Sequence, residues 1–360
     1  MPKIRVLVVD DAVVVRQLVS SVLNHDPDLE VVGVAANGRI ALTKIPMVNP
    51  DAVILDVEMP EMGGLETLMA IRASYPNLPV IMFSALTERG AVTTLDALAL
   101  GANDYVAKPT GVRDLAASQE HIRAELIPKI KAFCAKQIDR PDVIVKRPVS
   151  PPLVRTTRQH HHRIDVVALG VSTGGPNALA ALIPTIPADF PVPIVIVQHM
   201  PPVFTKSLAN RLASLSAIDV YEGAEGETLR PGAAWIAPGD YHMVLTRELS
   251  AVQIGTHQEP RENSCRPAVD VLFRSVAKVY GCHTLAVILT GMGNDGLQGC
   301  RHILEADGQI IVQDEASSVV WGMPGAVTKA GLAEKVLPLD QIGSEIIRRV
   351  QRDRAPSKVA

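Results

Sequence analysis

Short apolar runs alternate with longer amphipathic segments from the first residues of this 360-residue chain. In the first half, runs at 4–9, 31–36, 52–55, 80–83 and 105–107 are dominated by Val, Ile, Leu and Ala without strict alternation, the pattern of strands buried on both faces. The segments near 13–24, 39–48, 64–74, 89–100 and 113–133 space their apolar residues at helical intervals. The pattern is (βα)5 and predicts an α/β domain with a parallel sheet over residues 1–130. A second series begins with runs at 165–170 and 194–198, passes through shorter pieces at 234–237 and 252–255, and resumes at 285–290 and 309–313. It predicts a second α/β domain, doubly wound and mainly parallel, over 164–352, followed by a tail at 353–360. No internal repeat links the halves.

Residues 131–163 lose this periodicity. Pro141, Pro148, Pro151 and Pro152 cluster there with basic residues, as expected of an exposed linker. His160, His161 and His162 read as a solvated run, because adjacent positions in such a segment rarely converge on one ion.

Composition narrows the function classes. A hydrophobic content of 47% supplies a core for each half, and with aromatics at 3% those cores are aliphatic. A formal charge of -3 lacks the basic excess of a phosphate-backbone binder, so no nucleic-acid partner is expected. The N-terminal apolar run is shorter than a signal-peptide core and ends at Asp10, and no run reaches membrane-spanning length. The expectation is a cytoplasmic protein without membrane insertion. Cys134, Cys265, Cys282 and Cys300 are scattered without a CxxC pair, which suits reduced thiols, and none is a favoured catalytic candidate.

Functional side chains in parallel sheets gather at the carboxyl ends of strands. In the first half those ends carry Asp10 and Asp11, Asp56, Ser84, and Lys108 followed by Pro109. One such residue would be an ordinary solvated strand end; five at one edge are not. Three carboxylates together repel one another unless a cation sits between them, and hard oxygen ligands suit Mg²⁺.

The motifs VVDD (8–11), LDVEMPEMGG (55–64), FSA (83–85) and AKP (107–109) stand in order, and over its first ~125 residues the chain resembles response-regulator receiver domains. The resemblance implies a flavodoxin-like fold and a phosphoacceptor, Asp56, served by a histidine kinase. It implies that Asp10, Asp11, Asp56 and the carbonyl of Glu58 hold Mg²⁺, that Ser84 and Lys108 bind phosphoryl oxygens, and that Tyr105 is an aromatic switch.

In the second half, G-x-S-x-G at 170–174 follows a strand and opens a helix near Pro176, a sharp turn that exposes Ser172. Alone it also fits chance or a phosphate cradle. His199 closes the run at 194–198, where a structural histidine is the plainer reading in isolation, and Asp295 sits in a glycine-rich turn after the run at 285–290. Together the three strand ends supply a hydroxyl nucleophile, an imidazole base and an orienting carboxylate, the minimum set for acyl transfer. The order Ser, His, Asp differs from that of α/β-hydrolases, so the elbow is no argument for that fold.

GVSTGGP (170–176), QHMP (198–201), APGDYHM (237–243), RPAVDVLF (266–273), LTGMGNDG (289–296) and WGMPGAV (321–327) give residues ~165–350 a close resemblance to the catalytic domain of chemotaxis receptor methylesterases, the CheB family. Two departures are Ala268, where serine is expected in many relatives, and Ala12 after the acidic pair. The resemblance implies a phosphorylation-activated serine hydrolase that removes γ-methyl esters from glutamates of methyl-accepting chemotaxis receptors and deamidates receptor glutamines. Ser172 would attack, His199 would take its proton, Asp295 would stabilise the imidazolium, and the backbone N–H groups of Thr173 and Met292 would form the oxyanion hole, with no cofactor in this half. A chemotaxis histidine kinase would be the phosphodonor. The alternatives are a receiver-controlled hydrolase of another ester and a non-catalytic response regulator.

Overall fold

The computed structural model describes residues 2–109, 115–138, 162–249, 251–352 and 354, and the chain divides into two compact units, Met1–Lys146 and Arg147–Ala360. In the first unit, strands β1 (Ile4–Val9), β2 (Leu29–Ala35), β3 (Ala52–Asp56), β4 (Val80–Ser84) and β5 (Asp104–Ala107) alternate with helices α1 (Val13–Asn24), α2 (Gly38–Val48), α3 (Gly64–Ser74), α4 (Glu88–Ala99) and α5 (Leu115–Ile138). The sheet order is β2-β1-β3-β4-β5 with every pair parallel, the flavodoxin-like order. Strands β3 and β4 are buried along their whole length, as their unbroken apolar runs require. Side-chain oxygens start two of the helices: Asn37 accepts from the Ile40 N–H and Thr87 from the Gly90 N–H. In the register, Val9 lies opposite Leu55, Asp56 opposite Phe83, and Ser84 opposite Ala107. The polar strand ends therefore fall on one edge.

The last helix runs past 133. Leu126, Ile130, Phe133 and Cys134 continue a buried helical stripe, so α5 extends to Ile138 into the segment read as linker. Residues 139–161 of that segment, with His160 and His161, lie outside the described residues, as does most of the 353–360 tail.

The second unit contains β6 (Val166–Val171), α6 (Gly175–Leu182), β7 (Ile194–Gln198), α7 (Phe204–Leu215), β8 (Asp219–Glu222), β9 (Ala233–Ile236), β10 (His242–Glu248), β11 (Ala251–His257), α8 (Val269–Tyr280), β12 (Thr284–Ile288), α9 (Leu297–Glu305), β13 (Gln309–Gln313), α10 (Met323–Lys329), β14 (Lys335–Leu337) and α11 (Leu339–Arg352). A seven-stranded sheet runs β14-β13-β12-β6-β7-β9-β8 with parallel pairing throughout, and β10 with β11 forms a separate antiparallel pair. Strands β8, β10 and β14 are not marked by apolar runs in the sequence; β14 has three residues and β8 alternates exposed with buried positions. Helix α8 buries Leu272, Phe273 and Val276 in a core shared with β6 and β12.

Gly170 lets α8 approach that sheet. A Cβ there would lie 2.5 Å from Val269 Cγ1 and 2.9 Å from Ile288 Cδ1. Gly170→Ala is expected to destabilise the second unit by about 1–3 kcal/mol through overpacking, read as a lowered denaturant midpoint with the first unit's transition unmoved.

Candidate functional site

Each unit concentrates its unusual polar groups where adjacent parallel strands end. In the first, Lys108 Nζ lies 2.8 Å from Asp10 Oδ2 and 2.8 Å from Asp56 Oδ2. Asp10, Asp11 and Asp56 each place a carboxylate oxygen within 4.8 Å of the others, a donor set suited to a hard divalent cation. Burial pushes the Asp56 carboxyl up to about 6, against the Lys108 hydrogen bond, and the Asp10 charge adds to the rise. One lysine thus leaves the pocket short of positive charge, and the cluster fits Mg²⁺. Ser84 is buried and its hydroxyl donates to the Gly90 carbonyl at 3.2 Å. Tyr105 is buried on β5, with Lys129 Nζ 5.4 Å from its ring centroid. Glu58 follows Asp56 by two residues and directs its side chain to Arg89 at 3.6 Å.

In the second unit, the three strands carrying the sequence candidates are neighbours, β12-β6-β7. Ser172 directly follows β6, and Gly174, in the left-handed region at φ 77°, turns the chain into α6. The Gln198 amide donates to the carbonyls of Ser172 at 3.0 Å and His199 at 3.2 Å, while the His199 N–H donates to the Val171 carbonyl at 3.1 Å. These bonds fix the elbow against the end of β7. On its other side, the Ser172 N–H donates to the Thr290 carbonyl at 3.0 Å and the Thr290 hydroxyl to the Thr173 carbonyl at 2.9 Å. Gly291 permits this approach, since a Cβ there would lie 2.9 Å from Ser172 Cβ. Among the described residues, the N–H groups of Thr173 and Met292 have no acceptor.

His199 Nε2 lies 2.8 Å from Asp295 Oδ2. The carboxylate is 2% exposed and also accepts from Asn263 Nδ2 at 2.8 Å, Val269 N at 2.7 Å, Asp270 N at 3.1 Å and its neighbour Gly296 N at 2.9 Å. Burial alone would raise its pKa; the His199 bond leads the groups that hold it below the usual carboxylate range. Burial works against the charged imidazole in turn, yet the Asp295 hydrogen bond, with smaller contributions from Cys265 and from the Asp295 charge, raises its pKa above the ordinary histidine value. His199 Nδ1 faces Cys265 Sγ at 3.6 Å.

Residues 167–346 match the family described as CheB methylesterase, and residues 6–120 match the response regulator receiver domain. The protein-glutamate methylesterase/protein-glutamine glutaminase of Trichodesmium erythraeum (strain IMS101) is 55% identical over 97% of this chain and 100% of that protein. The corresponding protein of Nocardioides sp. (strain ATCC BAA-499 / JS614) is 51% identical over 100% of this chain and 98% of that protein. The chain belongs to the protein-glutamate methylesterase/protein-glutamine glutaminase family. The crystal structure of the Thermotoga maritima CheB methylesterase catalytic domain, 44% identical, covers 52% of this chain and 99% of that one with a TM-score of 0.51.

Within this methylesterase family member, His199 and Asp295 are brought into direct contact, and the Ser172 elbow is fixed beside them without a hydrogen bond from its hydroxyl to His199 among the described residues. Sequence reasoning missed Asn263, Cys265 and Asp270. Asn263 bridges Asp295 and Asp270, reaching the latter at 2.9 Å. The departure at Ala268 has a local counterpart: the first residue before α8 supplies no side-chain cap, and Asp295 accepts from the opening N–H groups of that helix instead.

The opposing causes at His199 give a sign that can be checked. Its ring should titrate above the ordinary value of about 6.5 in the intact protein, and lower than that raised position in Asp295→Asn, where burial acts without the carboxylate. Histidine-resolved NMR titration of both proteins measures the two values.

Proposed function

We propose that this chain is a phosphorylation-controlled serine hydrolase that removes γ-methyl esters from glutamates of chemotaxis receptors, releasing methanol, and deamidates receptor glutamines. The observation that carries the reading is the His199–Asp295 pair, its carboxylate buried, beside the Ser172 elbow, with two backbone N–H groups that have no acceptor among the described residues. With the Nε2 proton committed to Asp295, Nδ1 is the nitrogen that takes the Ser172 proton as Oγ attacks the ester carbon. The tetrahedral oxyanion is received by the N–H groups of Thr173 and Met292, each such donor contributing about 10²–10³ in rate. His199 returns the proton to the departing methoxide, giving methanol, or to the departing amide nitrogen of a glutamine, giving ammonia. Water, deprotonated by the same nitrogen, attacks the acyl carbon, and His199 passes that proton to Ser172 Oγ as glutamate is released. The Asp295 hydrogen bond and charge that raise the His199 pKa stabilise the imidazolium that forms in each step.

In the receiver half, Asp56 accepts the phosphoryl group from a histidine kinase. Asp10, Asp11, Asp56 and the Glu58 carbonyl would hold Mg²⁺, which supplies positive charge for the transferred phosphoryl group. Lys108 turns from its two carboxylates to the phosphoryl oxygens, Ser84 donates to another, and Tyr105 follows as the switch. The added charge of about -1.5 to -2 is the signal. Among the described residues no helix is long and apolar enough to cross a membrane, and this reading places the chain in the cytoplasm with its kinase.

Methanol release from methylated receptor membranes tests the chemistry. Ser172→Ala is expected to lower it by about 10⁴-fold or more; full turnover by that variant removes the assignment. Asp56→Ala should abolish stimulation by a phosphodonor, and stimulation that persists eliminates the proposed control. Because only neutral His199 accepts a proton, kcat/KM should rise with pH through the raised value, and a profile already flat at pH 6 contradicts the base assignment.

A further inference from the structure

His199 has both ring nitrogens engaged. Nε2 is tied to Asp295, which leaves Nδ1 facing the half-buried thiol of Cys265, 3.6 Å away. The thiol is held there by a built turn. Glu262 and Cys265 exchange backbone bonds, N–H to carbonyl at 3.1 and 2.9 Å, around Asn263 at φ 51° and Ser264 at φ 64°. Positive φ at both central residues is the geometry of a tight two-residue turn, which asparagine tolerates. Arg274 clamps the Glu262 carboxylate with two bonds of 2.6 Å, and Asn263 is bound to Asp295 and Asp270. The sulfur is therefore presented to the imidazole by a turn anchored on both sides.

The spacing has a specific chemical match. Zinc binds sulfur at about 2.3 Å and imidazole nitrogen at about 2.0–2.1 Å, which in tetrahedral geometry sets the two ligand atoms about 3.6 Å apart. Asp295 places an oxygen within 4.8 Å of ligand atoms of both residues. Its lone pairs are already taken by donors, so it serves as the carboxylate behind a metal-bound histidine, fixing the tautomer that exposes Nδ1. Thiolate with imidazole selects Zn²⁺ over Mg²⁺ or Ca²⁺, which prefer oxygen.

We propose that His199 Nδ1 and Cys265 Sγ form an inhibitory zinc site. Binding releases the Cys265 thiol proton to solvent, forms the Zn–S and Zn–N bonds, and leaves the Nε2–H bond to Asp295 in place, with water completing the coordination. The ion occupies the lone pair that would take the Ser172 proton, so hydrolysis stops until it is removed. Binding stands independently of the proposed hydrolysis; the inhibition rests on that reading.

Co²⁺ titrated into the reduced full-length protein should give a thiolate-to-cobalt charge-transfer band that Zn²⁺ displaces. The band should be absent in Cys265→Ala and Cys265→Ser, while the acidic cluster of the first unit, having no sulfur, does not produce one. Methanol release should fall at least about tenfold at zinc concentrations that saturate the site and recover with chelator. The ratio of activity with and without zinc should shift to at least about tenfold higher zinc in both Cys265 variants. Absence of the band from the intact protein, or equal zinc sensitivity in the variants, overturns the site. A band that saturates without affecting hydrolysis leaves the binding site standing and overturns both the inhibition and the role of Nδ1 as base.

Discussion

Asp295 is the constraint around which the second unit is arranged. A carboxylate this buried is costly unless its oxygens are met, because desolvation strongly disfavours the charged form. Its partners come from different places in the chain: the ring of His199, the amide of Asn263, the first N–H groups of α8 and the N–H of Gly296 entering α9. Two helix starts thus face one anion, and the partial positive charge at such ends favours it further. The same bonds that make the charge tolerable fix α8, α9 and the 262–265 turn relative to β7. Stability and the orientation of the His199 ring are consequently one requirement, since removing the charge leaves donors at two helix starts unmet.

The first unit handles its acids differently. Asp56 has Lys108 and a single long bond from the Glu58 N–H at 3.4 Å, and burial leaves its carboxyl at about 6. Asp10 draws on the same lysine. Such a pocket is under-neutralised, which suits a group that must receive a cation and a phosphoryl ligand. Asp295, fully supplied with donors, suits a group whose charge must remain fixed throughout a reaction. Both carboxylates lie at the carboxyl edge of a parallel sheet; the number of donors around each separates the roles proposed for them.

This difference also explains what was legible in the sequence. Strand runs, the edge on which Asp10, Asp56, Ser84 and Lys108 meet, and the Ser172, His199 and Asp295 strand ends follow from local periodicity and the topology of parallel sheets. Asn263 and Cys265 were not legible, because they sit on a short turn placed by tertiary bonds to Arg274 and Asp295 rather than by any periodic pattern. Cys265, with no CxxC partner in sequence, acquires its chemical neighbour only through folding. The extension of α5 from 133 to Ile138 was hidden by the polar residues that follow, although Cys134 continues the buried stripe. The short edge strand β14 carries too few apolar residues to stand out.

The chemistry at His199 follows from which nitrogen Asp295 takes. A carboxylate bound to Nε2 leaves Nδ1 as the acceptor, and whatever faces Nδ1 competes for the same lone pair. In the present arrangement that neighbour is Cys265, while the Ser172 elbow is secured through its backbone by Gln198 and Thr290. The serine backbone is therefore placed independently of the imidazole contact, and among the described residues its hydroxyl makes no hydrogen bond to His199. A soft cation at the sulfur would exploit the same orientation that catalysis needs, because a histidine tautomer fixed for proton transfer is also fixed for metal binding.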